Sequence, residues 1–332
     1  MNDKVLIEAK DLVKNYEVAN FFGKKAQGVV HAVSDVTLQI FEGETFSLVG
    51  ESGCGKSTLG RLLLNLIPPT SGSVLFEGTD ITKLKPGELR EMRKKMQIIF
   101  QDPYASLNPR MKVFDIIAEP LITHKVFRTK TELEARVREL MDTVGIRPEA
   151  AGRYPHQFSG GQRQRIGIAR AIALNPKFIV CDEPVSALDV SIQSQILNLL
   201  RDLQQQKGLT YLFISHDLGV VRYISSRVCV MFLGKVCEIG TSAEIYGNPL
   251  HPYTKFLIDA VPQLDPETRN KEKTLLAGEI PSPVNPPSGC RFHTRCPFAC
   301  KQCAQSEPEL KKIEGRLVAC HFPGKFTVSK IQ

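Results

Sequence analysis

Long apolar runs are missing from this sequence of 332 residues. No stretch of about 18 uncharged apolar residues occurs, which excludes a helix that crosses a bilayer. The start, Met1–Glu8, mixes charged and apolar side chains and lacks the apolar core of a secretory signal peptide. Internal repeats and long low-complexity segments are also missing. We therefore expect a cytosolic globular chain, long enough for one large domain and an appendage.

Strong clustering of charge is missing too, although the net charge is +8. A basic chain can favour nucleic acid or an anionic membrane surface. The basic residues here are scattered through the sequence and form only short runs such as Arg93–Lys95. We interpret the charge as a lysine-rich surface and expect no nucleic-acid partner.

A glycine-rich loop is the first feature that carries chemistry. The apolar run Thr45–Val49 predicts a buried strand, and the leucine spacing after it predicts a helix from Lys56 to Ile67. Between them, the sequence fits the phosphate-loop pattern Gly-x-x-x-x-Gly-Lys-Ser. Such a loop points backbone N–H groups at phosphate oxygens, and the positive end of the following helix adds to the attraction. We expect Lys56 to reach the β- and γ-phosphates of ATP and Ser57 to bind Mg²⁺. The candidate nucleotide-binding residues are Gly50, Ser52, Gly53, Cys54, Gly55, Lys56, Ser57 and Thr58.

Two carboxylates end another apolar run, Phe178–Cys181. Side chains alternate along a strand, so Asp182 and Glu183 should point in opposite directions and have different roles. We expect Asp182 to hold Mg²⁺ through its water shell. We expect Glu183 to act as the general base on the attacking water.

Two more polar residues follow apolar strands, where ligands of parallel sheets collect. His216 follows Tyr211–Ser215, so its side chain is expected at the γ-phosphate, although a histidine at a strand end is more often structural. Gln101 follows Gln97–Phe100, and its amide is expected to bind Mg²⁺ or position water.

Strands and helices alternate along the chain, which predicts an α/β fold with a mainly parallel sheet covered on both faces. The region from Pro103 to Tyr154 is predicted to be helical and inserted in this core. The other predicted elements are strands Val29–Val33 and Val36–Ile40 around a polar turn, helix Thr131–Val144, helix Gln162–Leu174, strand Lys177–Cys181, helix Ser191–Gln206, strand Thr210–Ser215, and a hairpin of Arg227–Leu233 and Lys235–Ile239.

A second glycine-rich loop, Phe158–Gln162, opens onto a helix about a hundred residues after the first. A chain with both loops can hold ATP from two sides only if two such chains face each other. The two loops together therefore predict a clamp that nucleotide closes.

With these segments in place, residues 5–250 resemble the ATP-binding subunit of an ABC transporter. Ser159–Gln162 is similar to the signature loop of that family, which binds the γ-phosphate of ATP held by the opposite subunit. The usual leucine before it is Phe158 here, which is also apolar. The resemblance implies that Ser159, Gly160, Gly161, Gln162 and the D-loop residue Asp189 contribute to nucleotide binding.

The same resemblance implies roles for residues elsewhere. Gln101 matches the Q-loop, Asp182 the Walker B aspartate, Glu183 the catalytic glutamate and His216 the switch histidine. Tyr16 is similar to the aromatic residue that stacks on adenine. The implied fold is a P-loop NTPase core of the ABC ATPase type, with an antiparallel β subdomain and a helical subdomain inserted at about residues 103–173.

Three segments narrow the resemblance to the oligopeptide/dipeptide importer branch, which nickel importers share. They are residues 101–110, residues 251–254 and the Cys-rich tail. Residues 186–193 resemble the "F" ATPase subunit of that branch more than its "D" partner. The chain would then comprise an ABC ATP-binding domain over residues 1–250 and a transporter-type C-terminal region over residues 251–332.

This branch implies an ATPase that powers import of di- or oligopeptides through closure and opening of an ATPase dimer. The implied partners are a homologous "D" ATPase subunit, two membrane-spanning permease subunits and, indirectly, an extracytoplasmic peptide-binding protein. The implied location is peripheral, at the cytoplasmic face of the cell membrane. Alternatives are the ATPase of a nickel or metal-chelate importer, a soluble ABC ATPase acting on nucleic acid or ribosomes, and a regulatory or redox-sensing module.

Cysteines are unevenly placed, since five of the nine lie between positions 290 and 320. In a reducing compartment such a cluster suggests metal more than disulfides, with free thiols as the alternative. In the resembling branch this tail carries an iron–sulfur cluster, which implies Cys290, Cys296, Cys303 and Cys320 as ligands. Cys300 lies outside this pattern, with substitution for one of the four as the alternative. Four thiolates suit either [4Fe–4S] or Zn²⁺, and the resemblance favours [4Fe–4S].

Overall fold

The computed structural model describes residues 4–18, 28–261 and 278–326. By their contacts these residues fall into two compact units. The first is built mainly from Phe41–Thr45 and Lys83–Ile214, and the second from Leu6–Ile40, Phe46–Thr82 and the chain from Ser215 onward.

Helices and strands alternate through most of the described chain, as the sequence predicts. The strands are β1 (Val5–Glu17), β2 (Val29–Phe41), β3 (Thr45–Val49), β4 (Ser71–Phe76), β5 (Thr79–Asp80), β6 (Met96–Ile99), β7 (Phe178–Asp182), β8 (Thr210–Ile214), β9 (Arg227–Phe232), β10 (Lys235–Thr241), β11 (Lys311–Ile313) and β12 (Arg316–Val318). The helices are α1 (Lys56–Leu63), α2 (Pro86–Met92), α3 (Val113–Thr123), α4 (Lys130–Thr143), α5 (Gly160–Ile172), α6 (Val190–Lys207), α7 (Leu218–Ile224), α8 (Ser242–Gly247), α9 (Pro252–Asp259) and α10 (Lys301–Gln305).

In the first unit, β6, β7 and β8 pair side by side in parallel. Every residue of β7 and β8 is buried. A parallel strand covered on both faces must be apolar along its whole length, which explains the continuous hydrophobic run of β7. Because the strands are parallel, their carboxyl ends lie at one edge, and the residues that follow β6 and β7 are brought close.

Helices α3, α4 and α5 of the first unit pack against one another. Helix α4 begins at a capping box, in which the Thr129 side chain accepts from the Glu132 N–H and the Glu132 side chain accepts from the Thr129 N–H. Its apolar residues Val137, Leu140 and Met141 are buried, as the sequence pattern predicts. Across the described ranges, no helix combines the length and the apolar character needed to cross a membrane.

The second unit contains an antiparallel arrangement in which β4 pairs with both β1 and β5, and β2 lies on the other side of β1. Separately, β3 pairs in parallel with β9, and β9 pairs with β10 as the predicted antiparallel hairpin. Strand β12 then pairs with β10, with Glu238 opposite Val318, and β11 pairs with β12. The last part of the chain is thus tied to the hairpin by backbone pairing, which its composition did not indicate.

Two local predictions were wrong. The predicted turn between two early strands is absent among the described residues, because β2 runs unbroken through Asp35, whose φ of 54° kinks the strand without ending it. Helix α1 ends at Leu63, four residues before the predicted end at Ile67. Asn65 instead adopts a φ of 48° and donates from Nδ2 to the Ile81 carbonyl at 2.7 Å, which turns the chain away from the helix.

Candidate functional site

The glycine-rich loop between β3 and α1 has a backbone that only glycine allows at two positions. Gly50 has a φ of 150°, and a Cβ there would lie 2.2 Å from the Met231 carbonyl oxygen. Gly55 caps α1 with a φ of 101°, and a Cβ there would lie 2.1 Å from the Ala32 carbonyl oxygen. Neighbouring backbone therefore leaves no room for a side chain at Gly50 or Gly55.

Gly50→Ala should destabilise the protein by about 3 kcal/mol, because it adds both an unfavourable φ and an overlap with backbone atoms that cannot rotate away. Gly78→Ala is the matched control. Gly78 has a φ of 80° but no atom within 4 Å of an added Cβ, so only the conformational cost of about 1 kcal/mol is expected. Denaturant unfolding of both variants measures the difference. Equal losses of stability in the two variants would show that the close backbone contact at Gly50 adds nothing to the cost.

Lys56 lies inside this loop and is 6% exposed. Its Nζ donates to the carbonyl oxygens of Gly50 at 2.7 Å and Glu51 at 3.0 Å. Cys54 is also buried, and burial raises the pKa of its thiol, which stays protonated and unreactive. The ammonium thus lies within the loop and is hydrogen-bonded to two of its carbonyl oxygens.

Asp182 and Glu183 are separated by a backbone turn and not by alternation along the strand. Strand β7 ends at Asp182, which is 4% exposed, and Glu183 has a φ of 46°. A non-glycine residue in this region costs about 1 kcal/mol or more, and such strain concentrates at functional positions. The Glu183 N–H donates to the Ile214 carbonyl at 3.0 Å, which holds the turn against the end of β8.

Gln101 and Glu183 meet at this edge, as their positions after parallel strands predict. The Gln101 Nε2 donates to Glu183 Oε2 at 2.8 Å. This hydrogen bond connects the Glu183 carboxylate to Gln101, the residue after which the chain enters the helical region of the first unit. A movement of either side chain would therefore act directly on the other through this hydrogen bond.

The second glycine-rich loop caps α5. The Ser159 hydroxyl accepts from the Gln162 N–H, and the Gln162 side chain accepts from the Ser159 N–H. A Cβ on Gly161 would come within 2.4 Å of the Ile192 side chain, so this loop packs closely on α6. Ser159 and Gln162 themselves are exposed, as is Asp189, the residue before α6. An exposed, capped helix start is suited to an anion that arrives from outside this chain.

The remaining predicted residues lie in the second unit. His216 is exposed, and the preceding Ser215 N–H donates to the Leu48 carbonyl at 3.3 Å, next to the strand that leads into the phosphate loop. Tyr16 is 41% exposed, with Lys14 Nζ 5.1 Å from its ring. An exposed ring is available for stacking.

Four cysteines of the tail line one cavity, together with aromatic and histidine side chains. Burial raises the pKa of Cys290 to about 11 and of Cys296 to about 12, so both are neutral thiols in this state. Cys300 lies outside the lining of this cavity, although its Sγ is 3.8 Å from the Sγ of Cys303. The lining residues include Cys290, Cys296, Cys303, Cys320, Phe292, Phe298, His293 and His321.

A ready-made metal site is not formed by these side chains. Within the described part of the chain, no three His, Cys, Asp or Glu residues stand as a group that would hold a metal ion. The four thiols line one cavity, but their sulfur atoms are not arranged around a common centre.

Sequence reasoning missed three residues that touch the phosphate loop or lie in it. Arg295 pairs with Glu51, and Tyr253 accepts from the Glu51 N–H. Glu51 occupies a variable position of the loop pattern, and its partners are about two hundred residues or more away. No local signal identifies such contacts, because they depend on the packing of distant segments.

Two family profiles match the chain. The profile described as ABC transporter matches residues 33–186, and the one described as oligopeptide/dipeptide transporter, C-terminal region, matches residues 237–303. The first covers the phosphate loop and β7, and the second covers three of the four cysteines that line the cavity.

Full-length relatives carry both regions. The putative oligopeptide transport ATP-binding protein YkfD of Bacillus subtilis is 56% identical, over 96% of this chain and 95% of its own. The oligopeptide transport ATP-binding protein OppF of Salmonella typhimurium is 53% identical, over 96% of each chain.

A solved structure of similar fold is the dimeric, post-hydrolysis state of the ATP-binding cassette MJ0796 bound to ADP and Pi. It has a TM-score of 0.64 and 31% identity, and the match covers 71% of this chain and 99% of that one.

Proposed function

This chain belongs to the ATP-binding proteins of ABC transporters, in the oligopeptide/dipeptide transporter family, and on that premise we propose that it hydrolyses ATP to power peptide import across the cytoplasmic membrane. One observation carries this function: the similarity to oligopeptide transport ATP-binding proteins runs through the ATPase region and the Cys-rich region alike. An ATPase from outside the oligopeptide/dipeptide transporter branch would share only the first.

We assign the phosphate loop to the triphosphate. The loop N–H groups and Lys56 bind the phosphates, and Lys56 exchanges its two carbonyl partners for phosphate oxygens. Ser57, Gln101 and, through water, Asp182 would hold Mg²⁺, which would neutralise charge on the β- and γ-phosphates. Tyr16 stacks on adenine.

Glu183 is the general base in this scheme. Its carboxylate accepts a proton from the attacking water while the oxygen of that water adds to the γ-phosphorus and the bond to ADP breaks. His216 donates a hydrogen bond to the γ-phosphate. The hydrogen bond from Gln101 to Glu183 links the state of the base to the helical region.

The second glycine-rich loop serves a different ATP, held by a facing ATPase subunit. Ser159, Gly160, Gly161 and Gln162 supply hydrogen-bond donors to its γ-phosphate, and Asp189 lies at the same interface. The exposure of Ser159, Gln162 and Asp189 and the capped start of α5 support this assignment. Binding of ATP closes the pair and loss of the γ-phosphate opens it, because the bridging phosphate binds the closed state better.

Four partner assignments complete the assembly. The facing subunit is a homologous "D" ATPase, two permease subunits span the membrane, and an extracytoplasmic peptide-binding protein delivers cargo. The helical region of about residues 103–173 is an inserted subdomain that receives a cytoplasmic helix of a permease, and residues 251–332 are an appendage to the ATP-binding domain of residues 1–250. The chain is peripheral at the cytoplasmic membrane face.

Purification of the intact membrane complex, followed by an ATPase assay with and without peptide and binding protein, tests this function. Peptide should raise the ATPase rate severalfold. Stimulation by a nickel chelate and not by peptide would favour the nickel importer. Failure to co-purify with membrane subunits would overturn the transport role.

The cysteine-lined cavity is the place for a [4Fe–4S] cluster, with Cys290, Cys296, Cys303 and Cys320 as ligands. The donor set matches such a cluster in ligand number and type, since four thiols line one largely apolar cavity, and the thiols would have to move together around it on binding. The neutral thiols would lose their protons on binding. When bound, the cluster supplies a covalent cross-link among distant loops and a one-electron redox centre. Zn²⁺ is the alternative occupant.

Protein isolated without oxygen should be brown, absorb at about 400 nm and contain about four irons per chain. Cys303→Ser should lose most of the iron and colour, because it removes a ligand. Cys300→Ser is the matched control, three positions away, and should keep both. A colourless protein that contains zinc would contradict the assignment.

A further inference from the structure

The Cys-rich segment touches the phosphate loop directly. Arg295, adjacent to Cys296, donates from Nη1 to Glu51 Oε2 at 2.6 Å. The two side chains are 6% and 22% exposed, whereas the surface pair of Lys130 and Glu134 is 85% and 42% exposed. Water and salt screen a shielded pair less than a surface pair, so its two charges interact more strongly.

Glu51 is held from three sides. Its N–H donates to Tyr253 Oη at 2.9 Å, its carbonyl accepts from Lys56 Nζ at 3.0 Å, and its carboxylate binds Arg295. Tyr253 is fully buried, with its ring 4.9 Å from that of Phe232, so packing sets the position of its hydroxyl. Residues far along the chain therefore determine where the second residue of the phosphate loop lies.

The charge of Glu51 would oppose nucleotide if it stood alone. It lies in the loop that receives the triphosphate, and Arg295 neutralises it. The buried Nε of Arg295 has no hydrogen-bond partner among the described residues, so Glu51 is its principal anchor. Removing one member of a shielded pair costs more than removing both, because the remaining charge is left without compensation.

We propose that Arg295 is a positioning residue for the phosphate loop, through which the Cys-rich segment sets the affinity for ATP. Arg295 acts by holding Glu51 in place and by cancelling its charge. This inference rests on the proposed ATPase function and assigns the segment 290–296 a part in nucleotide binding in addition to its cysteines.

Equilibrium binding of ATP to the full-length chain, at low and high salt, tests this with a double-mutant cycle. Arg295→Met should weaken binding about tenfold at low salt, and by less at high salt, because a bare carboxylate then faces the triphosphate. The double variant Arg295→Met with Glu51→Gln should return to within about threefold of wild type. A purely structural role predicts the opposite, since the second substitution would add to the loss.

Glu307→Gln is the matched control. Glu307 lies in the Cys-rich tail between Cys303 and Cys320, and the substitution removes its 2.5 Å ion pair with Lys235 of β10 without touching the phosphate loop. It should leave the affinity unchanged. If Arg295→Met does not fold, Arg295→Lys should bind ATP within about threefold of wild type, and Glu51→Gln alone at least as tightly. Unchanged affinity in Arg295→Met, no recovery in the double variant, or weaker binding by Glu51→Gln each overturns the inference. Wild-type chain that fails to bind ATP would overturn the proposed function as well, which separates the two failures.

Discussion

Glu183→Gln is expected to slow ATP hydrolysis by about a hundred- to ten-thousandfold while ATP binding persists. The amide has nearly the shape of the carboxylate but does not take the proton of the attacking water. The hydrogen bond from Gln101 can be kept, because the glutamine oxygen accepts as the carboxylate did. Steady-state hydrolysis in the assembled complex and equilibrium binding of ATP to the purified chain measure the two effects separately.

Glu134→Gln is the control for this variant. Glu134 forms an exposed pair with Lys130 on α4, 3.6 Å apart, and its loss should change the rate by less than about twofold. Hydrolysis near the wild-type rate in Glu183→Gln would show that another group accepts the proton. A loss of ATP binding to the same extent as turnover would instead assign Glu183 to nucleotide binding.

Lys56→Met is expected to weaken ATP binding by about a hundredfold or more. Hydrogen bonds to charged groups contribute roughly 1.5–3 kcal/mol each, and the ammonium would make two, to the β- and γ-phosphates. Methionine has a similar length and suits a buried site, since Lys56 is 6% exposed. The fold should therefore survive, and thermal unfolding of the variant without nucleotide checks this. Isothermal titration with ATP and Mg²⁺ measures the affinity.

Lys130→Met removes a lysine that is 85% exposed and should leave ATP affinity as it is. If Lys56→Met binds ATP within threefold of wild type, the ammonium does not contact the phosphates. Stabilisation of the wild type by ATP, with none in the Lys56 variant, would instead support the contact by an independent route.

Short segments were predicted well because their conformation is set locally. The strand Thr45–Val49 was predicted with its observed bounds, and the loop after it is recognisable because its glycines have backbone angles that other residues avoid. The meeting of Gln101 with Glu183 also follows from the sequence, since residues after parallel strands share an edge.

Other features were outside the reach of pattern reasoning. The positive φ of Glu183 goes with the hydrogen bond from its N–H to the Ile214 carbonyl, and β2 runs unbroken through the positive φ of Asp35. The pairing of β12 with β10 joins short segments whose composition is typical of loops. In each case tertiary contacts overrode a local preference.

The amino-acid sequence by itself determined the α/β class, the phosphate loop with Lys56, and the polar residues at the strand ends. These features depend on neighbours within a few positions or on periodic burial, which a linear chain displays directly. Only the tertiary structure decided that Arg295 meets Glu51 across 244 positions, that Tyr253 holds the same residue, and that four tail cysteines share one cavity. Such contacts arise from packing between segments that are distant along the chain, so no local preference encodes them.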